Sequence, residues 1–226
     1  MKVIILAAGI GSRLGNPKPK PLTPLSNGET ILKRQIKNIT KFISIDDIYV
    51  VVGFKKDIIM EEFPEVSYVF NNIYDQTNTS KSLMRGLKKT IGHDVLWMNG
   101  DVVFDQDVVK RILEFKGSCM AVNTMSVGEE EVKYNINKSG YIKEVSKIVL
   151  EPLGESVGVN KIIASKIPDF IKMLDKCNDD DYFEKGIEFA IDKGLVIYPV
   201  DVSDKLCIEV DFKEDLENAN RQLQRK

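Results

Sequence analysis

The chain has 226 residues, with 32 Lys and Arg against 34 Asp and Glu, a formal net charge of −2 and 43% hydrophobic residues. That apolar content supports one substantial α/β core, and the balanced charge argues against a nucleic-acid binder working through a strong positive field. Three scattered cysteines, Cys119, Cys177 and Cys207, form no CxxC pair and fit reduced thiols in a cytoplasm. No run is long enough to cross a bilayer, and the N-terminal apolar run breaks at Gly9-Ile10-Gly11 with no cleavage pattern. The expectation is a cytoplasmic protein, monomer or homodimer, with neither nucleic acid nor membrane as a partner.

Val3 to Leu6 reads as a buried strand. Ala7, Ala8, Gly9 and Gly11 follow, with Ile10 and Ser12 among them, and the two alanines and two glycines leave a bend with little side-chain bulk, so a ligand can lie on the backbone amides. Arg13 brings a guanidinium fork to the same bend. The prolines of Pro19-Lys20-Pro21-Leu22 stiffen the next loop and aim Lys20. Lys18 is a second candidate for the phosphates, and the register favours Lys20. Two familiar phosphate loops fail: Leu14 stands where a dinucleotide fingerprint needs its third glycine, and no Gly-Lys-Ser/Thr follows.

Further elements are expected in chain order. Thr30 caps a helix over about 31–42, strands cover 48–52 and 66–70, and a short helix lies near 55–62. A polar loop over 71–80 leads into a helix over 80–90, and strand 95–98 delivers Asn99-Gly100-Asp101. A helix to about 115 and a strand over 118–124 complete a strand–helix alternation, which predicts a mostly parallel sheet covered on both faces. Gly9, Gly53, Asn78 and Asp101 all follow strands and can meet at one sheet edge. Later come a hairpin turning at 137–140, a strand over 156–163, helices over 166–176 and 181–193, strands over 195–200 and 207–210, and a helix from 213. Residues 1–226 read as one domain, with a nucleotide-binding half to about 125 and an acceptor-binding half beyond it.

Leu6-Ala7-Ala8-Gly9-x-Gly11-Ser12-Arg13-Leu14 with Pro19-Lys20-Pro21-Leu22 resembles the signature of the nucleotidyltransferase superfamily, which activates phosphorylated sugars and alcohols with a nucleoside triphosphate. Asn99-Gly100-Asp101 and Glu209-Val210-Asp211 resemble its two metal-ligand segments. The resemblance implies a Rossmann-like, three-layer α/β/α fold around a mostly parallel mixed sheet. It also implies Mg²⁺ on Asp101 and Asp211, with Arg13, Lys20 and Asp101 as catalytic residues. The nucleotide would lie on residues 6–13, Lys20, Gly53, Thr77, Asn78, Ser80 and Gly100. Thr77-Asn78 with Ser82-Leu83 is most similar to the phosphocholine-type cytidylyltransferases, which favours CTP and a small phosphorylated or phosphonylated acceptor. Asn78 and Ser80 carry the groups to read a pyrimidine edge, and Ser80 is equally a candidate helix cap. On the acceptor side, Glu155 or Glu151 could face a cationic head group, and Lys147 or Lys161 could hold its phosphate. Asp179-Asp180-Asp181 reads as a helix cap with a solvated face, and Trp97 as core. A sugar-1-phosphate nucleotidyltransferase using UTP, dTTP or GTP, and a non-catalytic nucleotide-binding regulatory domain, remain as alternatives.

Overall fold

The structure, a computed structural model, describes residues 1–11, 18–125, 127–128 and 131–224. The expected roles of Ser12 and Arg13 fall outside the described residues. The elements in chain order are β1 (Lys2–Ala7), α1 (Ile31–Ile39), β2 (Ile48–Val52), α2 (Lys56–Glu62), β3 (Ser67–Phe70), α3 (Thr79–Leu87), β4 (Val95–Asn99), β5 (Val102–Phe104) and α4 (Gln106–Glu114). They continue with β6 (Cys119–Asn123), β7 (Lys133–Ile136), β8 (Ile142–Ser146), β9 (Gly154–Ile162), α5 (Ile167–Lys176), α6 (Phe183–Asp192), β10 (Tyr198–Asp201), β11 (Cys207–Glu209) and α7 (Lys213–Gln224).

Among the described residues the main sheet runs β10-β6-β9-β4-β1-β2-β3, with the β7–β8 hairpin joined at β9. β1 pairs in parallel with β2 and β4. β9 enters antiparallel between β4 and β6, so the sheet is mixed. β1 is buried on both faces because its side chains alternate. Val3, Ile5 and Ala7 join a core with Leu32, Ile36 and Ile39 of α1 and Val108, Val109 and Ile112 of α4. Ile4 and Leu6 join the opposite core with Leu83 and Leu87 of α3, Phe170 of α5 and Phe183 of α6. Trp97 stacks there against Phe170 and Phe183, with ring centroids 5.7 and 5.9 Å away. This is a three-layer α/β/α arrangement.

Two departures from the sequence reading position the site. The residues after Asp101 form β5, which pairs antiparallel with β11 and brings Glu209 opposite Val102. α1 ends at Ile39, where the expected helix ran on to 42; Thr30 caps its start by accepting the Lys33 N–H at 3.3 Å. β2 leaves β1 on one side and β4 adjoins it on the other, so their C-terminal loops diverge and open a crevice where ligands of such sheets sit.

Candidate active site

A cavity of about 440 Å³ opens at this crevice. Leu6, Ala7, Gly9 and Gly11 line it from the end of β1, Asn99, Gly100 and Asp101 from β4, and Glu209 and Asp211 from β11. Lys20 and Pro21 lie between these groups.

The Asp101 turn is held by buried polar contacts. Gln35 of α1, 1% exposed, donates its amide to the carbonyls of Asn99 and Val102, both at 2.9 Å. Asn38 donates to the Phe104 carbonyl at 2.7 Å. The Val210 N–H donates to the Asp101 carbonyl at 3.0 Å, locking β11 to the turn. Asp215 accepts from the N–H groups of Asp211 and Phe212 at 3.0 and 2.7 Å, which fixes the other aspartate at the start of α7.

Lys20 opens a short 3-10 turn, Lys20–Leu22. Its ammonium lies 2.6 Å from Asp101 Oδ2 and 2.6 Å from Asp211 Oδ1. Burial alone would lower the Lys20 pKa, yet the two aspartates outweigh it and hold the amine above its ordinary value. Burial, reinforced by Asp101, Asp211 and Glu184, pushes the Glu209 carboxyl well above the ordinary range, while Lys20 pulls the other way. Asn99 Nδ2 donates to Glu209 Oε1 at 3.1 Å.

Asp101 and Asp211 suit a hard cation such as Mg²⁺. Their donors are carboxylate oxygens, and Asp101 Oδ1 is buried with no hydrogen-bond partner among the described residues. No group of three or more His, Cys, Asp or Glu among the described residues is arranged to hold an ion. Two protein carboxylates, completed by water and phosphate oxygens, match the way Mg²⁺ is usually held.

The same cavity is also lined by Asn78, Thr79, Glu131, Val132, Lys147, Tyr182 and Glu184. Lys147 Nζ lies 5.9 Å from the Tyr182 ring centroid. Glu184 is 7% exposed, and burial pushes its carboxyl up to about 7, with its own N–H and Lys147 acting in the opposite sense. Glu131 is also raised, by burial and then by nearby acids.

Several expected ligands stand elsewhere. Ala8, Ile10, Gly53, Thr77, Ser80 and Glu155 are not among the residues lining the cavity. A Cβ at Gly53 would lie 2.5 Å from Tyr74 Cβ and 2.6 Å from the Ala8 carbonyl, so this glycine serves close packing. Thr77 donates to the Ile73 carbonyl and accepts from Asn71 within its own loop. Asn78, not Ser80, caps α3; its Oδ1 accepts the Thr79 N–H at 2.8 Å and its Nδ2 donates to the Asp180 carbonyl. Ser80 is fully buried. The 179–181 run meets α3 through its main chain, since Asp179 and Asp181 carbonyls accept the Asn78 and Ser80 N–H groups. Glu155 faces Asn123, its register partner on β6, and accepts from it at 2.9 Å. Lys161, 3% exposed, donates to the Leu113 and Phe115 carbonyls at the end of α4, where a cation complements the helix dipole.

Glu131, Thr79, Tyr182 and Glu184 were not singled out in the sequence. Glu184 carried a signal there, because it shares a helical face with Ile187 three residues on, and an acid on an apolar face is unusual.

A strand end bare of side-chain bulk, two carboxylates and a lysine between them meet at the switch point of a mixed sheet, an arrangement suited to nucleotidyl transfer. Residues 3–156 match the MobA-like NTP transferase domain, and the chain belongs to that family. It is 32% identical over 170 residues to the bifunctional protein GlmU of Methanococcus maripaludis, a match covering 73% of this chain and 39% of the relative. It is 33% identical over 121 residues to the CMP-5'-(3-aminopropyl)phosphonate synthase of Streptomyces rubellomurinus, covering 50% of this chain and 19% of that protein. The chain thus spans about two-fifths of the length of the GlmU relatives it matches. Its fold is similar to the CTP:phosphocholine cytidylyltransferase LicC of Streptococcus pneumoniae, with a TM-score of 0.77, 20% identity and 98% of each chain covered. It is also similar to the inositol-1-phosphate CTP transferase of T. maritima, with a TM-score of 0.82, 18% identity and coverage of 100% and 95%. No described helix is long and apolar enough to cross a membrane.

Proposed function

We propose that the protein transfers a nucleoside monophosphate, CMP from CTP, to a small phosphorylated or phosphonylated acceptor that carries a positive charge, releasing pyrophosphate. The observation that carries this reading is that Lys20, paired with Asp101 and Asp211, lines the same cavity as Glu131, Tyr182 and Glu184. An aromatic face with a buried and a half-buried carboxylate suits an ammonium head group. The cytidylyl relatives named above support CTP; the base-reading groups expected at 77–80 are largely engaged in folding contacts.

The amides at Gly9 and Gly11 would hold the triphosphate on the bare end of β1, joined by Arg13 on the strength of the sequence motif. Mg²⁺ held by Asp101 and Asp211 would supply charge neutralisation at the phosphates. Lys20 would stabilise the charge that gathers at the α-phosphate as the acceptor oxygen attacks in line. That oxygen is already anionic at neutral pH, so no general base is required. Lys147 would hold the acceptor's phosphate end, and Glu184 and Tyr182 its cationic end.

The test is pyrophosphate release with Mg²⁺, each nucleoside triphosphate in turn, against phosphocholine, aminoalkylphosphonates, polyol phosphates and hexose-1-phosphates. Release with CTP and a cationic acceptor supports the proposal. Release only with another triphosphate and a hexose-1-phosphate replaces it with the sugar-1-phosphate reading. Nucleotide binding without release for any pair points to the regulatory alternative.

A further inference from the structure

Lys20 stands between Asp101 and Asp211, with its ammonium 2.6 Å from each carboxylate. Among the described residues Asp101 Oδ1 is buried and unpartnered, so the ammonium leaves one oxygen of the cradle open, which a divalent ion could take. The backbone of Lys20 is fixed. Leu22 and Thr23 donate to the Pro19 and Lys20 carbonyls at 2.9 and 3.0 Å. Gly11, at φ +65°, comes so close that a Cβ there would lie 2.6 Å from Lys20 Cβ. Movement of the ammonium is therefore confined to the stem beyond Cβ. That stem is long enough to swing the charge from the aspartates toward a phosphate lying on Gly9 and Gly11.

We propose that Lys20 is the resident cation of the metal cradle, excluding a divalent ion until nucleotide phosphate draws the ammonium away. The same lysine then has two stations, on the aspartates before the substrate arrives and on the phosphates afterwards. Because the exchange links the two ligands, metal and nucleotide assist each other's binding reciprocally. This inference rests on reading Asp101 and Asp211 as the metal cradle, and its test separates the two.

Mn²⁺ serves as the probe, titrated without nucleotide into the wild-type protein, Lys20→Met, Asp101→Asn, and Lys20→Met combined with Asp101→Asn, with binding read by electron paramagnetic resonance. Lys20→Met should bind Mn²⁺ about tenfold or more tightly than wild type, and Asp101→Asn should abolish that gain. Equal, Asp101-dependent affinity in wild type and Lys20→Met overturns the proposal and leaves the cradle standing. Mn²⁺ binding that is independent of Asp101 in every protein overturns the cradle and the proposal together. Thermal melting gives a second reading that does not depend on activity. In chelator, Lys20→Met should melt below wild type because two carboxylates lose the ammonium between them, and Mn²⁺ should raise its Tm more than it raises the wild-type Tm. Equal Tm shifts in the two proteins count against the proposal.

Discussion

The N–H of Gly100 donates to the carbonyl of Leu6 at 2.9 Å, tying the exit of β4 to the exit of β1. A Cβ at position 100 would sit 2.7 Å from that same oxygen and 3.0 Å from Pro21 Cγ. Only glycine lets the Asp101 turn close against both the glycine-lined strand end and the Lys20 loop. Gly100→Ala should cost about 1–3 kcal/mol by overpacking and lower turnover by about tenfold or more through displacement of Asp101. Thermal melting and steady-state kinetics on one preparation check both; an unchanged Tm and kcat would show that the contact relaxes freely.

Gln35 acts on the same turn from behind. Its amide satisfies the Asn99 and Val102 carbonyls from a buried position on α1. Gln35→Ala leaves them unpaired, at about 1–3 kcal/mol in stability. Gln35 lies outside the cavity lining, so its loss should lower kcat by misplacing Asp101 and leave the acceptor KM nearly unchanged. A change confined to KM would contradict a positioning role.

Lys20→Ala should reduce turnover by about 10²–10³-fold, the scale of losing one preorganised charge stabiliser. Asp101→Asn should reduce it comparably or more, and excess Mg²⁺ should not restore it. Single-turnover measurement at saturating nucleotide separates this from weaker binding.

Glu184 gives the site a pH dependence whose sign is fixed by its raised pKa. A carboxyl that titrates near 4.5 when exposed and near 7 when folded binds more protons in the native state between those values. Its contribution to stability is therefore full below about pH 4.5 and is lost as pH rises through about 7, on the order of 3 kcal/mol across the window. Lys147 offsets part of that loss and Glu209 adds to it. Glu184→Gln should flatten the fall in Tm between pH 5 and pH 8. For a cationic acceptor, ionisation above about pH 7 should lower the KM, and the same variant should remove that dependence. An identical KM profile in wild type and Glu184→Gln would detach Glu184 from the acceptor.

The glycine-lined end of β1, Lys20, Asp101 and Asp211 were legible in the sequence because each is set by local chemistry: a strand that stops, a bend without bulk, and a carboxylate after a strand. Most elements followed from the same periodicities. β5 was not legible, since three apolar residues after a turn become a strand only when β11 arrives to pair with them. The antiparallel entry of β9 likewise depends on long-range pairing. The surroundings of Thr77 and Ser80 were not legible either: Thr77 bonds within its own loop, and Ser80 is fully buried, its hydroxyl without a partner among the described residues. Tyr182 and Glu184 reach the cavity only because α6 packs beside α3, with the Phe183 N–H donating to Thr79 Oγ1 at 3.0 Å. No local pattern announces that contact.

We propose that CMP passes from CTP to a cationic acceptor at the Lys20, Asp101 and Asp211 site. The most direct measurement incubates the protein with α-labelled CTP, Mg²⁺ and phosphocholine or an aminoalkylphosphonate, and follows the label into product by mass spectrometry. The expected result is a labelled CMP–acceptor conjugate formed in step with pyrophosphate by the wild type and not by Asp101→Asn. A conjugate formed equally well by Asp101→Asn, or a conjugate found only when another triphosphate and a sugar-1-phosphate are supplied, would overturn that transfer.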